Sequence, residues 1–166
     1  MVLNKKMFKL KQDIYLSVIL FLILAALIFA YIVEYKLGYQ PCKLCIYQRI
    51  PYFLSIFLII EILFYKKYVK STLLILTLIF IFSFCLAFYH FGIEQGFFSE
   101  GLICESENLE KNLSKEQLLE QLKKNIVSCK DVSFKIFGLS LATINAIVSL
   151  FLSSIMIKLY INYEKN

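Results

Sequence analysis

Four apolar runs, each about as long as a bilayer is thick, constrain this chain more than any other feature. The first, Ile14 to Val33, lies between Asp13 and Glu34 and contains no charged residue. An α-helix needs ~20 such residues to cross the hydrocarbon core of a membrane. The second run, Ile50 to Tyr65, is short, so the expected span reaches back to Cys45 and covers 45–65. The third is Ser71 to Ile93, and the fourth is Ile136 to Ile157, bounded by Lys135 and Lys158. Backbone groups in lipid must be satisfied internally, and runs this long do so as helices. The expected fold is all-α: one integral membrane four-helix bundle over residues 1–166, with two loops, 34–44 and 94–135, on one side.

Composition agrees. Hydrophobic residues make up 60% of the chain and charged residues 18%, below the ~25% of soluble proteins. The net charge of +6 does not point to nucleic acid, because no basic helix or RNA-binding motif accompanies it. Lysines flanking spans give the same excess. Lys5, Lys6, Lys9 and Lys11 precede the first span and raise a signal-peptide reading. The apolar core is too long for one and no clear small-x-small cleavage site follows, so a retained anchor is expected. If the N-terminus is cytoplasmic, the inner segments carry basic residues at about double the density of the outer ones. Both termini are therefore expected inside, with both loops on the periplasmic side of a bacterial inner membrane. Glu61, close to Lys66 and Lys67, reads as a carboxylate reaching toward the inner interface, ahead of a proton relay. In the longer loop, Ser114 and Gln117 form a capping-box pattern, followed by an apolar stripe of Leu118, Leu119, Leu122 and Ile126. A short helix lying on the membrane surface is expected there.

The cysteines fall where this topology gives them chemistry. Cys42 and Cys45 lie in or beside the first loop, Cys104 and Cys129 in the second, and only Cys85 falls within a span. Disulfides persist on that outer side. Cys42-Lys-Leu-Cys45 brings two sulfurs together at a helix start, where the helix terminus, Lys43 and Arg49 favour thiolate. A zinc half-site is the rival reading, but 24 residues separate Cys104 from Cys129, unlike a paired ligand knuckle, and no metal is expected. Two purely structural disulfides remain an alternative. Cys85 reads as a small apolar filler. His90, near the outer end of the third span, reads by itself as a hydrogen-bonded packing residue. Arg49 stands at the membrane boundary one turn after Cys45, where a cation needs a partner; a phospholipid headgroup is one candidate.

Three segments together resemble a known family. Pro41-Cys-Lys-Leu-Cys-Ile-Tyr-Gln-Arg49 is similar to the signature of the disulfide bond formation protein B (DsbB) family. So are Tyr89-His-Phe-Gly-Ile-Glu94 and Cys129-Lys-Asp, the last followed by Phe137-Gly-Leu-Ser-Leu-Ala142 and Asn145. The resemblance runs from about residue 12 to 160. It implies a thiol oxidase that takes electrons from a soluble DsbA-type protein of thioredoxin fold and passes them to a membrane quinone, ubiquinone or menaquinone. Cys42 and Cys45 would be the pair reoxidised by quinone, with Cys45 facing its ring. Cys104 and Cys129 would be the shuttle pair, with Cys104 forming the mixed disulfide. Arg49 would help hold the quinone, with His90 a secondary neighbour. The chain has Gln48 where some members carry Glu, and no Trp before the fourth span. A vitamin K epoxide reductase-type quinone reductase is also a four-helix bundle with C-x-x-C, but places its active pair beside a late helix.

Overall fold

The computed structural model describes residues 2–66, 68–99, 101, 104, 128–130 and 134–164. Helix α1 spans Val2–Tyr35, α2 Lys43–Tyr47, α3 Ile50–Tyr65 and α4 Val69–Glu94. A two-strand hairpin, β1 Lys135–Ile136 and β2 Leu139–Ser140, precedes α5, Leu141–Glu164. Four helical stretches are long and apolar enough to cross a membrane: Leu10–Tyr35, Lys43–Tyr65, Val69–Glu94 and Leu141–Tyr163. The chain is a multi-pass helical membrane protein. The surface helix expected around Ser114 to Ile126 lies outside the described residues.

Two boundaries differ from expectation for local reasons. The second span is not one continuous helix from Cys45. Pro51 has no N–H, and its ring conflicts with the carbonyl four residues back, at Tyr47. The chain therefore breaks at Gln48–Arg49 between α2 and α3, and Arg49 N–H bonds to Ile46 O in a tighter turn. The fourth span begins at Leu141, not Ile136, because Phe137 and Gly138 both take positive φ, 50° and 82°. Paired positive φ values make the two-residue hairpin turn that matches strand twist, and Lys135 pairs with Ser140.

The bundle has two interior zones. Leu16, Ile19, Ile23, Ile59, Leu73, Leu76, Phe80, Leu152 and Met156 form a dry core. Lipid is as apolar as these side chains, so the helices associate through close packing, not through the hydrophobic effect. Small residues permit that closeness where α4 meets α5, the most extensive contact of the fold: Ser83 and Ala87 on one helix, Ala142, Ala146 and Ser149 on the other, all buried. Phe57, Phe64, Phe82 and Phe151 face outward, as lipid-contacting positions do. Lys66 Nζ reaches Asp13 Oδ2 at 2.6 Å, tying α1 to the end of α3. Glu61 accepts a hydrogen bond from Thr72 Oγ1 at 3.1 Å at this same end. The second zone, at the opposite end, holds Cys42, Leu44, Ile93, Cys104 and Cys129.

Candidate active site

The α2 helix begins with a cysteine as its cap. Cys42 is extended, with ψ 166°, and its Sγ accepts the Cys45 backbone N–H at 3.2 Å. That cap brings the two sulfurs of the C-x-x-C to 2.7 Å. Across from them, α4 delivers His90, whose Nε2 lies 3.5 Å from Cys42 Sγ. The hydrogen bond from Cys45 lowers the Cys42 thiol to about 5, and His90 adds to it, against burial, which raises it. Thiolate character here comes from Cys45 and His90, and exposed Lys43 is a bystander.

The other two cysteines meet this pair. Cys104 and Cys129 form a disulfide, both sulfurs buried. Cys129 Sγ lies within 4.8 Å of Cys42 Sγ and of a His90 ring nitrogen. These three could in principle ligate a metal, but Cys129 is bonded to Cys104 and is not a thiolate while that bond lasts. Cys85 is exposed on the outer surface of α4, a lipid-facing position and not a core filler.

Arg49 has a partner the sequence reading did not assign. Its Nη1 donates to Glu34 Oε2 at 2.6 Å, the two side chains being 14% and 21% exposed. Its guanidinium also lies 4.8 Å above the Tyr31 ring, a favourable cation–π placement. The helix break at Gln48–Arg49 has not separated Arg49 from the thiols: Cys42, Cys45, Arg49, His90 and Cys129 all line one cavity of about 110 Å³. A second cavity, of about 280 Å³, shares Ala30, Gln48, Arg49 and Leu141 with the first. Its walls are otherwise mostly apolar, from Leu27, Phe29, Ile144 and Val148, with Tyr52 and Asn145 at its polar side.

Several site residues were given no role from the sequence, although Gln48, Glu94 and Asn145 stand in the motifs that carry the resemblance. Glu34 is one. Glu94 is another: its carboxylate accepts from Ser140 Oγ and sits 3.8 Å from His90 Nε2. Gln48, 6% exposed, bonds His90 Nδ1 and Asn145. Tyr52, Ser83 and Ser149 continue this polar seam into the bundle. The available signal was polarity inside apolar helices, since such residues face the bundle interior.

Free paired thiols packed against a disulfide, at one end of a membrane-spanning bundle, define a membrane-embedded thiol–disulfide protein. Comparison with known families makes this specific. The family model described as "Disulfide bond formation protein DsbB" matches residues 12–159, and the chain belongs to that family. It is 32% identical over 171 residues to "Uncharacterized protein RP370" of Rickettsia prowazekii (strain Madrid E), covering 100% of this chain and 99% of that one. No solved structure matches the chain.

Proposed function

We propose that this chain is an inner-membrane thiol oxidase that reoxidises a periplasmic DsbA-type protein and passes the electrons to membrane quinone. The observation that carries the reading is the meeting of the two cysteine pairs, Cys42 Sγ lying within 4.8 Å of Cys129 Sγ. A purely structural pair of staples has no need to place one disulfide in reach of the other's thiol. The higher lysine density of the termini and of the short connection between the second and third spans supports the orientation in this reading, both termini cytoplasmic and the cysteine end periplasmic.

The sequence of exchanges balances. A thiolate of the partner attacks Cys104, forming a mixed disulfide and releasing Cys129. Cys129 attacks Cys42 of the oxidised Cys42–Cys45 pair and releases Cys45. The partner's second thiol displaces Cys104, so the partner leaves oxidised. Cys104 then closes on Cys129, and the Cys42–Cys45 pair is left reduced by two electrons. His90 and the Cys45 backbone N–H hold the Cys42 sulfur as the better leaving group in that last displacement.

The cavity of about 280 Å³ fits a quinone: apolar walls for ring and tail, and N–H donors from Gln48, Arg49 and Asn145 for carbonyl oxygens. When bound, ubiquinone or menaquinone supplies the two-electron, two-proton sink that lets the Cys42–Cys45 bond re-form. Arg49 holds positive charge on the wall shared with the thiol cavity, where negative charge on ring oxygens develops. The test is purified protein with a reduced thioredoxin-fold partner and a soluble quinone. One quinol should appear per partner disulfide. Partner oxidation that proceeds equally without quinone would overturn the proposal.

A further inference from the structure

The polar seam beside the thiols has a direction. Tyr52 OH donates to Asn145 Oδ1. Asn145 Nδ2 donates to Gln48 Oε1 at 2.7 Å. Gln48 Nε2 meets His90 Nδ1 at 2.9 Å. An amide nitrogen can only donate, so Nδ1 must offer a lone pair and the ring proton belongs on Nε2. That is the atom 3.5 Å from Cys42 Sγ. Each donor in the series points toward the sulfur.

We propose that Tyr52, Asn145 and Gln48 are positioning residues that hold His90 in its Nε2–H tautomer and so aim a hydrogen-bond donor at the Cys42 sulfur. The inference deepens the thiol-oxidase reading and rests on it for its place in turnover. Both ends of the series select the same direction. At the far end, Ser149 Oγ lies 3.2 Å from Tyr52 OH and itself donates to Asn145 Oδ1 at 3.4 Å, so that oxygen accepts from both hydroxyls and the Asn145 amide nitrogen is left facing Gln48. The Tyr52 ring is held edge-on to Phe80, centroids 6.4 Å apart. At the near end, Nε2 faces Cys42 Sγ and Glu94 Oε1, the latter 3.8 Å away, and the ring also hydrogen-bonds the Cys129 backbone. A lone pair on Nε2 would face the sulfur and the carboxylate without a proton.

The four residues come from separate parts of the fold: Gln48 from the turn before α3, Tyr52 from α3, Asn145 from α5 and His90 from α4. Gln48, Tyr52 and His90 are each no more than 6% exposed, so little water competes for these bonds. Reversing the series requires turning both amides together, because each uses its oxygen and its nitrogen. The charged or titratable groups around Cys42 are Cys45, His90 and Glu94, with Glu34, Tyr39 and Arg49 on the same cavity wall; Cys129 is held in its disulfide.

His90 is the chain's only histidine, so the test has one signal. Full-length protein labelled with [¹⁵N]histidine is reduced and placed in lipid nanodiscs without quinone or partner. Two-bond ¹⁵N–¹H couplings should put the proton on Nε2 and a lone pair on Nδ1. Gln48→Glu replaces the donor with an acceptor and should move a proton onto Nδ1. Asn145→Asp keeps the shape, cannot donate to Gln48, and should do the same by releasing the Gln48 amide to turn. Alkylation of Cys42, resolved from Cys45 by mass spectrometry, gives a second readout. Gln48→Met should move its pH midpoint up by about one unit, roughly a twofold slower reaction at about pH 6 and approaching tenfold below about pH 4. Tyr52→Phe should move it less. A proton on Nδ1 in the unsubstituted protein, or an unchanged tautomer in both acidic variants, would overturn the inference. Neither readout involves quinone, so loss of the quinone-oxidase reading leaves them standing, and their failure leaves that reading untouched.

Discussion

Arg49→Ala separates the roles of charge and anchoring at the lip of the cavity. In the structure its guanidinium is committed on one side to Glu34, at 2.6 Å, and lies over Tyr31 on the other. Removing it should act twice. The first effect is loss of a preorganised cation where negative charge develops on the acceptor, about 2–4 kcal/mol of transition-state stabilisation. That is roughly a 30- to 1000-fold loss in kcat/KM for quinone. The second effect is a stranded Glu34 carboxylate, only 21% exposed, which then repels the charge that Arg49 had attracted. Losing a charge-assisted hydrogen bond of this kind costs about 1.5–3 kcal/mol, at the low end here because water reaches both groups. Arg49→Ala combined with Glu34→Gln should therefore recover roughly tenfold of the loss, and Glu34→Gln alone should change turnover by less than about tenfold. Arg49→Lys should rescue only in part, because an ammonium cannot span Glu34 and a second acceptor with a planar fork. The assay is steady-state oxidation of a reduced partner with quinone varied. Unchanged quinone dependence in Arg49→Ala, in protein that melts at the wild-type temperature, would refute the reasoning.

Other expectations follow from the same geometry. Cys104→Ser should abolish partner oxidation while reduced Cys42–Cys45 is still reoxidised by quinone, as non-reducing peptide maps can show; undiminished partner oxidation would make the second pair structural. The Cys42 thiol, lowered to about 5 by Cys45 and His90, should react with iodoacetamide well below the usual thiol range of ~8.5. Because the folded reduced protein holds this proton less tightly than the unfolded chain, the stabilisation is complete above the ordinary thiol range and is lost as pH falls through about 5. Reduced protein should thus lose melting temperature across that interval, and a Cys42→Ala variant should lose less. A membrane-impermeant maleimide applied to reduced, intact spheroplasts should label Cys104 and Cys129 but not Cys85; labelling only after lysis would reverse the orientation.

The spans were legible because crossing lipid imposes a length and an apolar composition that few other structures require. Their ends were less so. Pro51 was visible, but its effect on the helix at Tyr47 depends on where α2 begins, which the Cys42 cap decides. The Phe137–Gly138 turn carries half of the usual hairpin signal, since Phe rarely takes positive φ. Within the site, Cys42, Cys45, Arg49 and His90 stood out by type and position. What did not stand out were partners: Glu34 for Arg49, Gln48 for His90, Asn145 for Gln48. Each pairing joins residues 15 to 97 positions apart, and helix rotation within the bundle decides it. Periodicity along one helix does not carry that information. Cys85 shows the same limit, since the sequence places it in a span but not on the lipid side.

The claim at the centre of this account is that the two cysteine pairs form one path for electrons. The most direct test is a Cys45→Ser, Cys104→Ser double variant, in which Cys42 and Cys129 have lost their partners but lie within 4.8 Å of each other. Mild oxidation in membranes followed by non-reducing peptide mapping should recover a Cys42–Cys129 disulfide in nearly all of the protein. Recovery of Cys42 and Cys129 as separate thiols, in protein that retains its wild-type melting temperature, would contradict a path between the pairs.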